Sequence, residues 1–514
     1  LPSEERATTP ARPGRPREPR SRSAAFLKGW WHLLTLGLVL VLGAATFLYG
    51  NVLTCGGPGS GVRSVGGQCV GVTDGSYVYH DDFHRIQELI TKENDRVAGL
   101  TDRHVVRVAL LSTFTFGDVS PMDPGRIRRA LEGAYTAQMR ANHTRRLGDS
   151  KPALQLYLAN TGSRQEHWEP VVDDLVAMTE DEENPLVAVV GMAVSIESTQ
   201  EMATRMSRHG IPMVSTSATA DGLEHGSIDG LVRAAPSNTE MVRALRRYLD
   251  GLEEPARATL VYDSTEPDLF TTTLRDAYQT HLGGYMEGHP QEYAGTTVGD
   301  TPRAGLFDTV TLNVCASETD TVFFAGRAPD LWEFVASLES RGCSDDPLRV
   351  LFATIGLTAM DDEDAMGMLR DSNITLVYAS GIDPRWGDPK AGEDAPPHYG
   401  HFTEAFDEYV GDEGGSAFNN GYALVHHDAL AVVARAVRMT NGMDLGDRPP
   451  RAEDVLAQLM LVNTAHEVPA GGGTLNYSDE HGGEAVGRYV PVVELPMEGE
   501  RPAADPYVIG GTGP

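Results

Sequence analysis

The sequence predicts an α/β protein, two doubly wound parallel-sheet lobes that follow one N-terminal transmembrane helix. Three observations carry this: an uncharged apolar run near the start, short apolar runs alternating with helical patterns, and hydroxyl-rich turns after two of those runs. The 514 residues, 41% of them hydrophobic, suffice for two or three packed cores.

The first element is the apolar run. No charged residue occurs from Trp30 to Val62, and residues 30–53 are almost wholly apolar. A helix of about 20 residues, rising about 1.5 Å per residue, spans the hydrocarbon layer of a membrane. Trp30, Trp31 and Tyr49 stand where interfacial aromatics belong. Residues 1–29 carry seven basic groups against three acids, whereas the whole chain has 73 Asp plus Glu against 42 Lys plus Arg. The positive-inside bias therefore places residues 1–29 in the cytoplasm and the chain beyond about residue 53 outside, on a single-pass cell-membrane protein. A cleaved signal peptide and a lipoprotein attached through Cys55 are the competing readings. The acidic body, within a formal net charge of −31, excludes nucleic acid as a partner. Only four residues are lysine, a high-GC bacterial bias.

Residues 54–100 read as a juxtamembrane segment, Gly-rich at first and helix-like over Phe83 to Val97. The four cysteines suit an oxidising compartment, and local pairing is expected, Cys55 with Cys69 and Cys315 with Cys343. Their spacing does not fit a zinc site.

Strands are expected at Val105–Leu111, Leu154–Leu158, Leu186–Val190, Pro212–Val214, Ala258–Tyr262, Thr321–Phe324, Arg349–Ala353 and Thr375–Tyr378. Each is a short apolar run without clean alternation, the pattern of strands covered on both faces. Helical patterns fall between them, at Pro124–Asn142, Glu166–Met178, Ser198–His209, Thr239–Leu249, Leu269–Leu282 and Leu331–Arg341, with a long helix at Asn420–Met439. So many βα units exceed one sheet. They divide into a first lobe of 101–235 plus about 383–465 and a second of 236–382 plus about 466–495. Gly471–Leu495 reads as a terminal antiparallel hairpin, and 496–514 as a loose tail.

Ligands of open α/β sheets bind beyond the carboxyl ends of the strands. Gly191–Ser195 follows one strand and Ser215–Thr219 the next. Hydroxyls and helix N-termini there can donate to an anion, or Ser198 and its neighbours can serve as plain helix caps. The passage PLVAVVGMAVSIESTQEMATRMSRHGIPMVSTSATADGL resembles the leucine/isoleucine/valine-binding family of type 1 periplasmic binding proteins, the substrate-binding components of ABC transporters. GLVRAAPSN, ATLVYDSTEPDLF, TVFFAGRAPDLWEFVASLESRGC and FNNGYALVHHDALAVVARAV resemble later segments in the family's order, so the likeness spans about 104–495.

The resemblance implies two lobes closing on a small ligand. It implies ligand contacts at Ser195, Ser198, Ser217, Ala218 and Thr219 on the first lobe, and at Asp268 and Arg327 on the second. Arg327 would suit an acidic ligand or pair with a nearby carboxylate. The chain departs from the family at Thr354-Ile355-Gly356, where amino-acid binders place an acid; the nearest acids are Asp361 and Asp362. An α-amino acid is therefore not the expected ligand.

No G-x-S-x-G elbow, Walker loop or H-E-x-x-H occurs, so no enzyme activity, metal or cofactor is expected. His80 and His84 bracket two acids at a helix start, and the adjacent His426 and His427 point in different directions on a helix. The expected function is a tethered solute-binding protein that serves an ABC permease or a signalling membrane protein. The rival is a cell-surface interaction protein that kept the fold without binding a small ligand.

Overall fold

The computed structural model describes residues 35–39, 55–57, 59–117, 120–265, 268–295, 305–357, 362–387, 394–411, 416–497 and 506–511. The chain divides into two compact units, Leu1–Pro58 and Gly59–Pro514. In the first unit a helical stretch, α1, is described over 35–39, with Leu36, Leu38 and Val39 exposed. The basic tail and the rest of the expected membrane helix at 30–53 lie outside the described residues. Among the described residues no helix is long and apolar enough to cross a membrane.

The second unit contains two mainly parallel sheets with antiparallel edges. The first has the order β1-β2-β4-β3-β5-β6-β7, from Val62–Val65 (β1), Gln68–Thr73 (β2), Val105–Ser112 (β3), Ala153–Asn160 (β4), Leu186–Gly191 (β5), Met213–Ser215 (β6) and Leu231–Arg233 (β7). From β4 to β7 every pairing is parallel. The apolar run of β5 is buried at every position, as a strand covered on both faces must be. One face is covered by α2 (His84–Ala98), α3 (Pro124–His143), α11 (Tyr399–Tyr409) and α12 (Tyr422–Met439), the other by α4 (Trp168–Thr179) and α5 (Glu197–Arg208). Pro124 opens α3 at a position that needs no N–H, and Asp123 caps it by accepting from Arg126 N at 2.9 Å.

Residues 59–100 belong to the first lobe rather than to a separate juxtamembrane segment. The strands β1 and β2 form an antiparallel hairpin that extends the first sheet beyond β4. Phe83, Ile86 and Ile90, at and within the start of α2, enter the first lobe's core. Polar side chains fasten this extension: Asn160 Nδ2 donates to Cys69 O (2.7 Å), and Gln68 Oε1 accepts from Ser163 N (2.6 Å).

The second sheet has the order β16-β12-β11-β10-β8-β9, from Ala258–Asp263 (β8), Gln291–Tyr293 (β9), Thr321–Ala325 (β10), Leu348–Ala353 (β11), Ile374–Ala379 (β12) and Val492–Leu495 (β16). Its helices are α6 (Asn238–Asp250), α7 (Leu269–Leu282), α8 (Asp308–Ala316), α9 (Ala328–Leu338) and α10 (Glu363–Asp371). Cys315 on α8 and Cys343 beyond α9 form a disulfide with Cα atoms 5.6 Å apart; Cys55 and Cys69 are disulfide-bonded too, and no cysteine is free.

The expected terminal hairpin is more elaborate. Val468–Ala470 (β13), Gly473–Asn476 (β14) and Val486–Val490 (β15) form an antiparallel sheet with Tyr507–Val508 (β17). β15 ends with Val490 in the second lobe's core, and β16 pairs there antiparallel with β12. Leu475, Tyr477 and Ala485 instead pack in the first lobe's core with α13 (Ala452–Leu459). The tail is therefore not wholly loose: β17 pairs with β15, and the Tyr507 hydroxyl donates to Glu240.

Candidate functional site

On the first lobe, the turn after β5 is shaped by backbone. Gly191 has φ +111°, and a Cβ there would stand 2.3 Å from Leu111 O. Only glycine suits such a position. The next residue, Met192, is also left-handed at φ +54° and donates its N–H to Leu111 O at 2.9 Å. This double turn brings Ser195 under the start of α5, and its Oγ accepts from Ala220 N at 3.0 Å, locking the two turns together. The cap of α5 is Ile196, which offers no side-chain hydrogen bond. Ser198 is thus not the cap, and its Oγ is buried without a partner. An uncapped helix start beside a free hydroxyl favours an anion.

The turn after β6 is held from behind. Thr216 N donates to Gly191 O (2.9 Å), and Ser217 Oγ donates to Ala193 O (3.1 Å). Asn238 N donates to Thr219 O (2.7 Å), while Arg233 donates to Ala218 O (3.0 Å) and Ala220 O (2.7 Å). Ala218 and Thr219 are both buried. His426 Nδ1 lies 2.7 Å from Tyr422 O, so it carries the proton, and Nε2 accepts from the Thr216 hydroxyl at 3.0 Å. Burial pushes His426 down to about 4, against the opposing bond to Tyr422, so the ring is neutral at pH 7.

The second lobe presents a different surface. Asp268 caps α7 by accepting from Phe270 N (2.9 Å) and Thr271 N (3.3 Å). It also receives Arg327 in bidentate fashion, at 2.6 and 2.9 Å. The side chains are 2% and 17% exposed, and the guanidinium sits 5.5 Å above the centre of the Phe270 ring. Arg327 Nη2 further donates to Ser195 O at 3.2 Å, a direct bond from lobe to lobe. The two residues therefore satisfy each other.

Asp362 caps α10, accepting from Asp364 N and Ala365 N, and Asp361 lies outside the described residues. A Cβ on Gly356 would meet Asn420 Cα at 2.9 Å, so the turn after β11 packs against the opposite lobe's backbone.

Sequence reasoning missed two features. Ser112 Oγ and Thr113 Oγ1, at the carboxyl end of β3, are buried without partners. Asp263, ending β8, accepts from Thr265 N and Gly295 N (2.9 Å each) through one oxygen, while the other is buried and unpartnered. A Cβ on Gly295 would fall between this oxygen (2.7 Å) and Asp330 Oδ2 (2.5 Å), so two carboxylates converge there. The only available signal was position, an acid closing an apolar run.

Where α12 meets Gly471–Gly472 and β15, close to the crossing between the lobes, the contacts are ionic and buried. Asp428 on α12 accepts from Gly471 N (2.7 Å), Gly472 N (2.9 Å), Arg488 Nη1 (2.9 Å) and His427 Nδ1 (2.8 Å), and Arg488 Nη2 reaches Gly381 O (3.2 Å). Burial raises the Asp428 carboxyl, but His427, Arg488 and the Gly471 N–H outweigh it and hold it below its usual range. His426 and His427 thus serve separate networks. Among the described residues no cluster of three or more His, Cys, Asp or Glu could hold a metal.

The fold matches solved structures. The ABC transporter substrate-binding protein of Desulfitobacterium hafniense superposes with TM-score 0.53 at 18% identity, over 79% of this chain and 100% of the other. The chain shares its fold with ABC-transporter substrate-binding proteins. The branched-chain amino acid transporter substrate-binding protein of Streptococcus pneumoniae, in complex with isoleucine, gives TM-score 0.54 at 15% identity, covering 79% and 99%. A solute-binding protein of an R. palustris ABC transporter, in complex with 4-hydroxybenzoate, gives 0.53 at 11%, covering 77% and 94%. No protein-family model and no curated protein matches the chain. About a fifth of the chain lies outside the substrate-binding-protein match.

Proposed function

We propose that this chain is a membrane-tethered extracytoplasmic solute-binding protein, without catalytic activity, whose two lobes close on a small anion-bearing ligand. The observation that carries the reading is the pair of first-lobe turns, tied by the Ser217–Ala193 and Ala220–Ser195 bonds, together with an α5 start that has no side-chain cap and a Ser198 hydroxyl that has no partner. Ser195 and Ala218 shape this half-site, and Ser217 and Thr219 line it. On the second lobe, Asp268 and Arg327 act together as a latch to Ser195, and the free oxygen of Asp263 accepts a ligand donor. Closure is favoured because the ligand touches both lobes only when they are shut.

Tethering rests on the uncharged stretch 30–53 and its basic flank. A separate membrane partner, an ABC permease or a signalling protein, receives the closed form. Carbonate extraction of bacterial membranes checks the tether: the chain stays in the pellet, whereas release would remove this part of the proposal.

The test of binding is thermal stability of the full chain across branched-chain amino acids, aromatic and aliphatic acids, amides and sugars. An acid that binds raises the midpoint saturably, following RT ln(1 + [L]/Kd). A panel in which no acid does so contradicts the reading. It would favour a surface interaction protein, a reading supported by the mutual satisfaction of Arg327 and Asp268 and by the added β1–β2 hairpin.

A further inference from the structure

Arg233 ends β7, the last strand before the chain first crosses to the second lobe, and its side chain is fully buried. One guanidinium holds two carbonyls of the ligand-facing turn, Ala218 O and Ala220 O. In a planar trans peptide the carbonyl and the following N–H point in opposite directions. Turning Ala218 O toward Arg233 therefore turns the Thr219 N–H away from it, on the opposite side of that peptide.

The same residue is tied to the strands that return across the hinge. Arg233 N donates to Gly483 O (3.0 Å), and Tyr477 OH donates to Arg233 O (2.8 Å). Its Nε lies 3.1 Å from Glu484 Oε1, two residues before β15, but off the hydrogen-bond direction. The other Glu484 oxygen is buried without a partner. Glu224 also pairs with the guanidinium.

We propose that Arg233 is a positioning residue that sets the amides of the Ser217–Ala220 turn, and that Glu484 links this setting to the strands crossing between the lobes. The inference rests on the solute-binding reading for its purpose, though not for its test. The charge balance around Arg233 supports it. Burial raises the Glu484 carboxyl to about 7 against the opposing Arg233, and Glu240, Asp221 and Glu224 push it further the same way. Asp221 is likewise raised by burial against Arg233. Several carboxylates thus compete for one guanidinium, and a change at Glu484 redistributes its bonds to the turn.

Hydrogen exchange of the full chain at fixed pH, read by mass spectrometry, tests the coupling. Glu484→Gln changes exchange in the 216–222 peptide at least threefold, more than 260 residues away in sequence. Arg233→Lys, which keeps the charge but lacks the fork that spans two carbonyls, changes it more. Glu404→Gln, at an exposed site on α11, leaves it alone. Changes confined to 480–486 and 231–235, with 216–222 as in the wild type, overturn the proposal. Calorimetry with leucine, isoleucine and 4-hydroxybenzoate adds a second arm, in which any of these that binds the wild type loses at least fivefold in affinity in Glu484→Gln. A wild type that binds none counts against the solute-binding reading, while the exchange data still decide the coupling.

Discussion

The first-lobe turns at Gly191–Ser195 and Ser215–Ala220 carry hydroxyls, and the carbonyls of Ala218, Thr219 and Ala220 are bonded to Arg233 and Asn238. The second-lobe positions Asp268 and Arg327 carry full charges that are spent on each other and on the α7 cap. The first-lobe turns adjoin an unpartnered hydroxyl at Ser198; the second-lobe pair is electrostatically closed on itself. The difference teaches that strand ends on two sheets of the same kind can carry opposite electrostatics. Resemblance in the first lobe says little about the second.

The contrast can be broken most forcefully at the charged half. Asp268→Ala leaves Arg327 without its partner and α7 without its cap, and is expected to cost about 3–5 kcal/mol. Equilibrium denaturation measures this. Arg327→Met added to it restores much of the loss, because the stranded charge is gone; no recovery would mean that the pair is not coupled.

The backbone of the first half comes next. Gly191→Ala places a Cβ against Leu111 O at a left-handed position and should cost at least ~2 kcal/mol. The same denaturation experiment checks it, and a loss below about 0.5 kcal/mol would deny the turn its strain.

Titration separates the first-lobe turn from the hinge. The folded His426 is lowered to about 4 from 6.5, so its contribution is present above pH 6.5 and is lost as pH falls towards 4. The folded Glu484 is raised from 4.5 to about 7, so its contribution is present below about pH 4.5 and is lost as pH rises through 7. The two oppose each other over the same window. His426→Gln should therefore flatten the acid side of the stability profile, and Glu484→Gln the decline toward neutral pH. Denaturation midpoints taken from pH 4 to 8 show whether each variant removes the slope assigned to it.

The smallest effects on stability are expected at the hydroxyls proposed to face the ligand. Ser217→Ala with Thr219→Ala should change folding by about 1 kcal/mol or less, since the turn is held by backbone and Arg233. Asp362→Asn, weakening the α10 cap, should be similarly mild.

Much of this architecture is legible in the sequence. The runs read as Val105–Leu111 and Leu186–Val190 appear as β3 and β5, because strands covered on both faces are almost wholly apolar, Arg107 of β3 being the one charged residue in the two runs. The Gly-rich start of 54–100 concealed β1 and β2, whose pairing with β4 is supplied by tertiary contact rather than propensity. α11 carries Tyr399, Phe402 and Phe406 on one face, but the Pro-rich stretch before it hides its start in the sequence. The hydroxyl turns could be found because they follow strands directly. The Arg327–Asp268 bond spans 59 positions, and the free oxygen of Asp263 depends on which groups surround it; neither leaves a local pattern.

The central claim is that the first-lobe turns hold the ligand's acidic group. Calorimetry with the best acid from the stability panel tests it directly, comparing the wild type, Ser217→Ala with Thr219→Ala, and Asp362→Asn. The expected result is at least a tenfold loss in the double variant, about 1.4 kcal/mol, with Asp362→Asn within twofold of the wild type. Undiminished affinity in the double variant would contradict the account.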